Sequence, residues 1–250
     1  MENDLRYKLV IEYDGTPFVG WQRQKDGISV QEVLEKALST AVREPIVLFG
    51  SGRTDTGVHA LAQVAHFDTG KKLDCFRLRE SLNALVRPYP ISIHLAEPVS
   101  EDFHARFSAK ERTYIYRILN TRFPPALDKN RVWWYSCPLD VQKMNEAAQL
   151  LLGKHDFSTF RASECQAKSP VKTLDFIEVK TVSSNMIEMM VKARSFLHHQ
   201  VRNIMGSLVN VGSGKWTVSD FKKALEAKDR RAGGQTAPAA GLYFVSVRYE

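Results

Sequence analysis

Residues Arg6–Tyr13 alternate, with Tyr7, Leu9, Ile11 and Tyr13 on one side and Lys8, Val10 and Glu12 on the other, which predicts a strand. The segment DGTPFVGW that follows is rich in glycine and proline and predicts a loop. Ser29 opens a helix with Glu32 three residues on, the pattern of a capping box, and Val30, Val33, Leu34, Ala37, Leu38, Ala41 and Val42 follow at helical spacing. Pro45 ends that helix. Short apolar strands are predicted over Pro45–Phe49 and Leu61–Asp68. A helix capped by Asp74 carries Leu78, Leu82 and Leu85, and a strand covers Ile91–Val99. The order is βαββαβ.

The second half repeats it. Arg112–Leu119 alternates as a strand, and Asp140 caps a helix through Met144, Ala148 and Leu151, with Gly153 placed as its C-terminal glycine. Thr173–Val182 and Met186–Ser195 are predicted strands around a Ser-Ser-Asn turn. Leu197, Val201, Ile204, Leu208 and Val211 form a helical stripe. Thr217–Ala227 is an additional helix with Asp220 in its first turn, and Leu242–Tyr249 is the closing strand. Two tandem ferredoxin-like units follow: an α+β fold with mainly antiparallel sheet, divided near Ser108–Glu111 into residues 1–107 and 108–250. That fold alone gives no activity.

Composition narrows the field. Of 250 residues, 44% are hydrophobic and 25% charged, which excludes a disordered or fibrous chain. No apolar run is long enough to span a bilayer, and the start, Met-Glu-Asn-Asp-Leu-Arg, reads as neither secretory signal nor basic transit peptide. Cys75, Cys137 and Cys165 are scattered, against a disulfide framework or a zinc site, so a reducing cytosol is expected. The net charge is +7, unevenly placed. Residues 1–107 hold 13 basic and 15 acidic side chains, and residues 108–250 hold 22 and 13. The excess in the second half suits a polyanionic partner as well as a soluble basic surface.

The sharpest chemistry lies in Gly52–Ala60, GRTDTGVHA, a loop between two predicted strands. It lacks the Lys-Ser or Lys-Thr pair of a phosphate-binding loop. It offers one carboxylate, Asp55, with Arg53 two residues before it; by itself the segment also reads as a solvated turn. Phe196–Gly206, FLHHQVRNIMG, opens the second-half helix, and its Arg202 falls off the apolar stripe, where it could face a cleft and hold Asp55 ionised. His198 and His199, taken as helical, point to different faces and would not chelate. Tyr116 reads as core. Tyr114, at its strand's start, can offer a ring for stacking or a hydroxyl for proton transfer. His155–Pro170 interleaves Phe157 and Phe160 with Arg161 and Lys168, a composition suited to single-stranded RNA and equally to a small hydrophobic cluster.

GRTDTGVHA, FHARFSAKERTY, FLHHQVRNIMG, the ending APAAGLYF (Ala237–Phe244) and the opening DGTPFVGWQRQ (Asp14–Gln24) together resemble the TruA-type tRNA pseudouridine synthases, from about Tyr7 to Tyr249. Gln200 departs from the pattern, which more typically has Met there. The resemblance implies a pseudouridine synthase fold with a central cleft, and conversion of uridine to pseudouridine at positions 38, 39 and 40 of the tRNA anticodon stem-loop, without cofactor or metal, by a cytoplasmic homodimer. It implies Asp55 as the catalytic aspartate, Arg53 in base flipping, Tyr114 stacked on the target base, Arg202 paired with Asp55, and Arg106 and Arg161 as tRNA contacts. The chemistry agrees: a carboxylate can attack C1′ as a retaining glycosidase does, or deprotonate the sugar to give a glycal, and neither route needs a metal or a redox agent.

Overall fold

The computed structural model describes residues 5–250; residues 1–4, on which most of the reading of a polar start rests, lie outside the described residues. In chain order the elements are β1 (Leu5–Tyr13), α1 (Val30–Val42), β2 (Phe49–Gly50), β3 (His59–Thr69), α2 (Cys75–Leu85), β4 (Ile91–Val99), β5 (Glu111–Asn120), β6 (Trp133–Tyr135), α3 (Val141–Gln149), β7 (Gly153–Asp156), β8 (Val171–Leu174), β9 (Phe176–Ser183), β10 (Met186–Ala193), α4 (Gln200–Gly212), α5 (Val218–Ala227) and β11 (Leu242–Arg248). They form two compact units. One runs to Lys110 and includes Tyr243–Glu250; the other is Glu111–Leu242. Among the described residues, no helix is long and apolar enough to cross a membrane.

The first unit has the expected βαββαβ order. β1 pairs antiparallel with β3 and β4, and the short β2 pairs with the outer edge of β3. The alternation read in β1 places Tyr7, Leu9, Ile11 and Tyr13 in the core. Ser29 caps α1 by accepting the Glu32 N–H at 3.2 Å, but Glu32 does not complete the box, because its carboxylate takes Lys36 Nζ at 2.6 Å instead. The predicted strand over Pro45–Phe49 shrinks to two residues for a clear reason. Side chains of α1 take its backbone groups first: Ser39 Oγ accepts from Ile46 N–H, Glu35 Oε1 accepts from Leu48 N–H, and Gln31 Nε2 donates to Leu48 O. In α2, Asp74 caps as expected and Leu78 and Leu82 are buried, while Leu85 lies exposed past the end of the stripe. β11, the closing strand of the second repeat in the sequence, pairs in parallel with β3 through Tyr243 and Phe244.

In the second unit β10 lies between β5 and β9, antiparallel to both, and β6 adds in parallel to β5. The strand expected over Thr173–Val182 is two strands. β8 leaves to pair with β7, and β9 pairs with β10 after a break at Asp175, whose N–H reaches Lys192 O. α3 ends at Gln149, so Gly153 (φ +86°) starts β7 rather than closing the helix. α5 carries a complete capping box between Thr217 and Asp220. Phe157 and Phe160 are fully buried, Phe160 stacking on Phe221 at 5.6 Å, so this pair forms the hydrophobic cluster and not an RNA-stacking loop. α4 starts at Gln200, four residues later than the stripe and its flanking aromatic suggest. His199 is its N-cap in the left-handed region (φ 60°), and the rings of His198 and His199 therefore lie close together, centroids 3.9 Å apart and planes tilted by 38°, instead of facing opposite ways on a helix.

Candidate active site

In the first unit the loop between β2 and β3 is pinned at almost every residue. Ser51 N–H donates to Val64 O (2.7 Å), its hydroxyl donates to Gln63 Oε1 (2.6 Å), and Gln63 Nε2 donates back to Gly52 O (2.9 Å). The hydroxyls of Thr54 and Tyr13 share a bond of 2.8 Å, and burial pushes the Tyr13 phenol up to about 12, so it stays protonated. Asp55 O accepts Val58 N–H at 3.1 Å, closing a four-residue turn whose third position, Gly57, has φ +77°, as a type II turn requires. Asp55 is half-buried at the first position of that turn, and Arg53 is exposed.

The clamp on this turn comes from DGTPFVGW. Trp21 N–H donates to Thr54 O at 3.1 Å, and the buried Trp21 indole fills the space a side chain at Gly50 would need, 2.6 Å from the ideal Cβ. Gly15 lies directly on the turn, where a Cβ would stand 2.1 Å from Val58 O. The Nδ1 of His59, which is 2% exposed, lies 3.1 Å from Gly15 N and 3.2 Å from Asp14 Oδ1, and its ring stacks on Tyr243. Two segments that read as separate in the sequence are thus one rigid support for Asp55. Sequence reasoning missed Gly15, Trp21 and His59 in this role; the signal available was that both glycine-bearing loops belong to the resemblance.

Arg106 sits in a turn held by two imidazoles. His66 Nδ1 accepts Ala105 N–H (3.2 Å), and His104 Nδ1 accepts Arg106 N–H (3.1 Å). Arg6 forks onto both Asp68 oxygens and also donates to Phe103 O. The Arg106 guanidinium lies over the exposed ring of Phe107. Burial, with the charges of His104 and Arg6, pushes His66 down to about 4, and acceptance by Nδ1 needs the neutral ring. The unfolded chain binds this proton near pH 6.5 and the folded one only near 4. The stabilisation is therefore complete above about pH 6.5, is lost progressively as pH falls from there to about 4, and is gone below that, roughly 3 kcal/mol in all. Denaturant unfolding at pH 7 and pH 4.5 should show this loss, and His66→Gln should flatten it; equal acid sensitivity in the two proteins would remove His66 as the cause.

In the second unit Tyr114 lies in β5 opposite Val191, 8% exposed, with its ring edge-on to Phe196 at 5.1 Å. Tyr116, fully buried, donates to Pro238 O at 2.7 Å, and burial raises its phenol well above the ordinary range, opposed by the charge of Arg202. Arg202 is half-buried in the first turn of α4, and its Nε donates to Ala237 O at 2.8 Å. Arg161 follows a short 3-10 turn, where it donates to Cys165 O and braces its own loop. The structure thus places Tyr114, Arg161 and Arg202 in one unit and Arg53, Asp55 and Arg106 in the other. Gln200, the departure noted in the sequence, accepts Leu197 N–H through Oε1, a bond Met could not make, while its buried Nε2 lacks a partner among the described residues. The three cysteines are free thiols.

A family model described as tRNA pseudouridine synthase matches residues 9–108 and 147–250. The chain is 56% identical over 244 residues to the tRNA pseudouridine synthase A of Paramagnetospirillum magneticum, covering 98% of this chain and 95% of that protein. It is 55% identical to the protein of the same name from Beijerinckia indica (98% and 94% covered) and 53% identical to that from Rhodospirillum centenum (98% and 99%). With this fold and these matches along nearly its whole length, the chain belongs to the tRNA pseudouridine synthase family, isomerases that convert uridine to pseudouridine in tRNA.

Proposed function

We propose that this protein isomerises uridine to pseudouridine at positions 38, 39 and 40 of the tRNA anticodon stem-loop, with Asp55 as the catalytic carboxylate. The observation that carries the reading is the Asp55 turn itself: a single half-buried acid on a loop immobilised by backbone and buried side-chain bonds, as a group that must meet one carbon atom needs to be. The reaction breaks N1–C1′, turns the base and joins C5 to C1′; C5 loses its proton and N1 gains one, so no water or oxidant is consumed. Asp55 either attacks C1′ or takes a sugar proton to give a glycal, and both routes begin at this carboxylate.

The remaining roles are those the family resemblance implies. The target uridine has to leave its stack at a cost of about a few kcal/mol, which Tyr114 offsets by stacking and Arg53 assists by filling the vacated space. Arg202 supplies the positive charge that keeps Asp55 ionised. Arg106 and Arg161 bind the RNA backbone. Residues 1–107 carry the catalytic loop, and residues 108–250, with 22 basic against 13 acidic side chains, supply most of the attraction for the polyanion, which makes binding salt-sensitive. The enzyme acts as a homodimer in the cytoplasm. Incubation with tRNA bearing tritium at uridine C5 tests the reading. Release of tritium to water without free uracil is expected. Binding without release would mean an RNA-binding protein, and free uracil would mean a glycosidase.

A further inference from the structure

Asn203, the residue after Arg202, is fully buried and bonds through both ends of its amide. Its Nδ2 donates to Phe160 O (3.0 Å), and its Oδ1 accepts from Thr236 Oγ1 (2.7 Å) and Arg230 Nη2 (3.2 Å). Arg230 Nη2 also reaches Thr236 Oγ1 at 3.2 Å. One turn along α4, Ser207 Oγ donates to Asn203 O and accepts Gly234 N–H, each at 2.8 Å. Between them Gly206 leaves no gap, since a Cβ there would stand 1.8 Å from Gln235 O. Residues 233–237 therefore lie flat along α4 as a strap. The strap ends on Arg202: Ala237 N–H donates to Arg202 O at 3.2 Å, and Arg202 Nε donates to Ala237 O at 2.8 Å. The direction of the guanidinium is set by a carbonyl 35 residues away in the chain, and that carbonyl is held by the Asn203–Thr236–Arg230 triad.

We propose that Asn203, Thr236 and Arg230 are positioning residues for Arg202, forming a lock that holds the strap and through it aims the guanidinium. The proposal rests on the role given to Arg202 above. Because the lock acts on orientation and not on tRNA contact, its loss should fall on kcat and leave KM alone. Thr236→Val, an isostere without the hydroxyl donor, should lower kcat for pseudouridine formation about tenfold with KM within about twofold. Thr236→Ser should restore it. In an Arg202→Ala background the same Thr236→Val change should cost nothing further, since the group being aimed is gone.

A wild-type kcat in Thr236→Val, or an equal loss on top of Arg202→Ala, would overturn the lock. Arg230→Gln, at another half-buried member of the triad, serves as a second probe with the same expected pattern if Thr236→Val does not fold. A crystal structure of Thr236→Val reads the geometry without any assay: the Arg202 Nε to Ala237 O distance should open beyond hydrogen-bond range, and an unchanged distance would refute the lock. If the wild-type protein made no pseudouridine, the functional reading would fail while this distance still decided the lock.

Discussion

Asp55→Asn should abolish pseudouridine formation, with a fall in kcat of at least about a thousandfold, while tRNA still binds. The substitution keeps the shape of the side chain and leaves the turn intact, because the loop is held by Ser51, Gln63, Thr54, Tyr13 and backbone groups. The change removes the negative charge, and with it the nucleophilicity and basicity that the two routes to C1′ need. Binding is expected to stay within about threefold of wild type, since affinity for a folded RNA is dominated by phosphate contacts and one fewer anion does not weaken them. Single-turnover kinetics with a filter-binding control separate the two effects. Substantial turnover in the variant would mean that another group does the chemistry.

The second large effect comes from a residue that supports the catalytic turn without taking part in the chemistry. Gly15→Ala places a methyl group 2.1 Å from Val58 O and 2.5 Å from Val58 C, both backbone atoms of the turn that begins at Asp55. Neither can swing aside as a side chain would, so the turn has to shift by about an ångström, and a displacement of that size at a catalytic group costs on the order of a hundredfold in rate. Thermal stability should fall as well, by an amount typical of overpacking, about 1–3 kcal/mol. Gly70→Ala is the control: a Cβ there meets nothing within 4 Å, and activity and melting temperature should match the wild type. A Gly15→Ala protein with full kcat would show that the two loops do not act as one support.

Much of this was legible in the sequence because it is local. The alternation of β1, the Asp74 and Asp140 caps, and the isolation of Asp55 in a glycine-bounded loop depend only on neighbouring residues. Most of the misreadings come from competition by partners distant in the chain, and one from a local turn of the backbone. Leu48 looks like a strand residue until Glu35 and Gln31 claim its backbone. The start of α4 is displaced because His199 turns into the left-handed region, which periodicity does not register. Phe157 and Phe160, which the sequence leaves open between an RNA platform and a hydrophobic cluster, are the cluster, with Phe221 stacked on Phe160. For the same reason neither the clamp of Gly15 on Val58 nor the strap of residues 233–237 on α4 could be seen: each joins segments tens of residues apart.

The most direct measurement is to map pseudouridine, nucleotide by nucleotide, in unmodified tRNA after incubation with the purified wild-type protein and with Asp55→Asn. The account predicts new pseudouridine at positions 38, 39 and 40 with the wild type and none with the variant. Equal modification by both proteins, or none at those positions by the wild type, would contradict it.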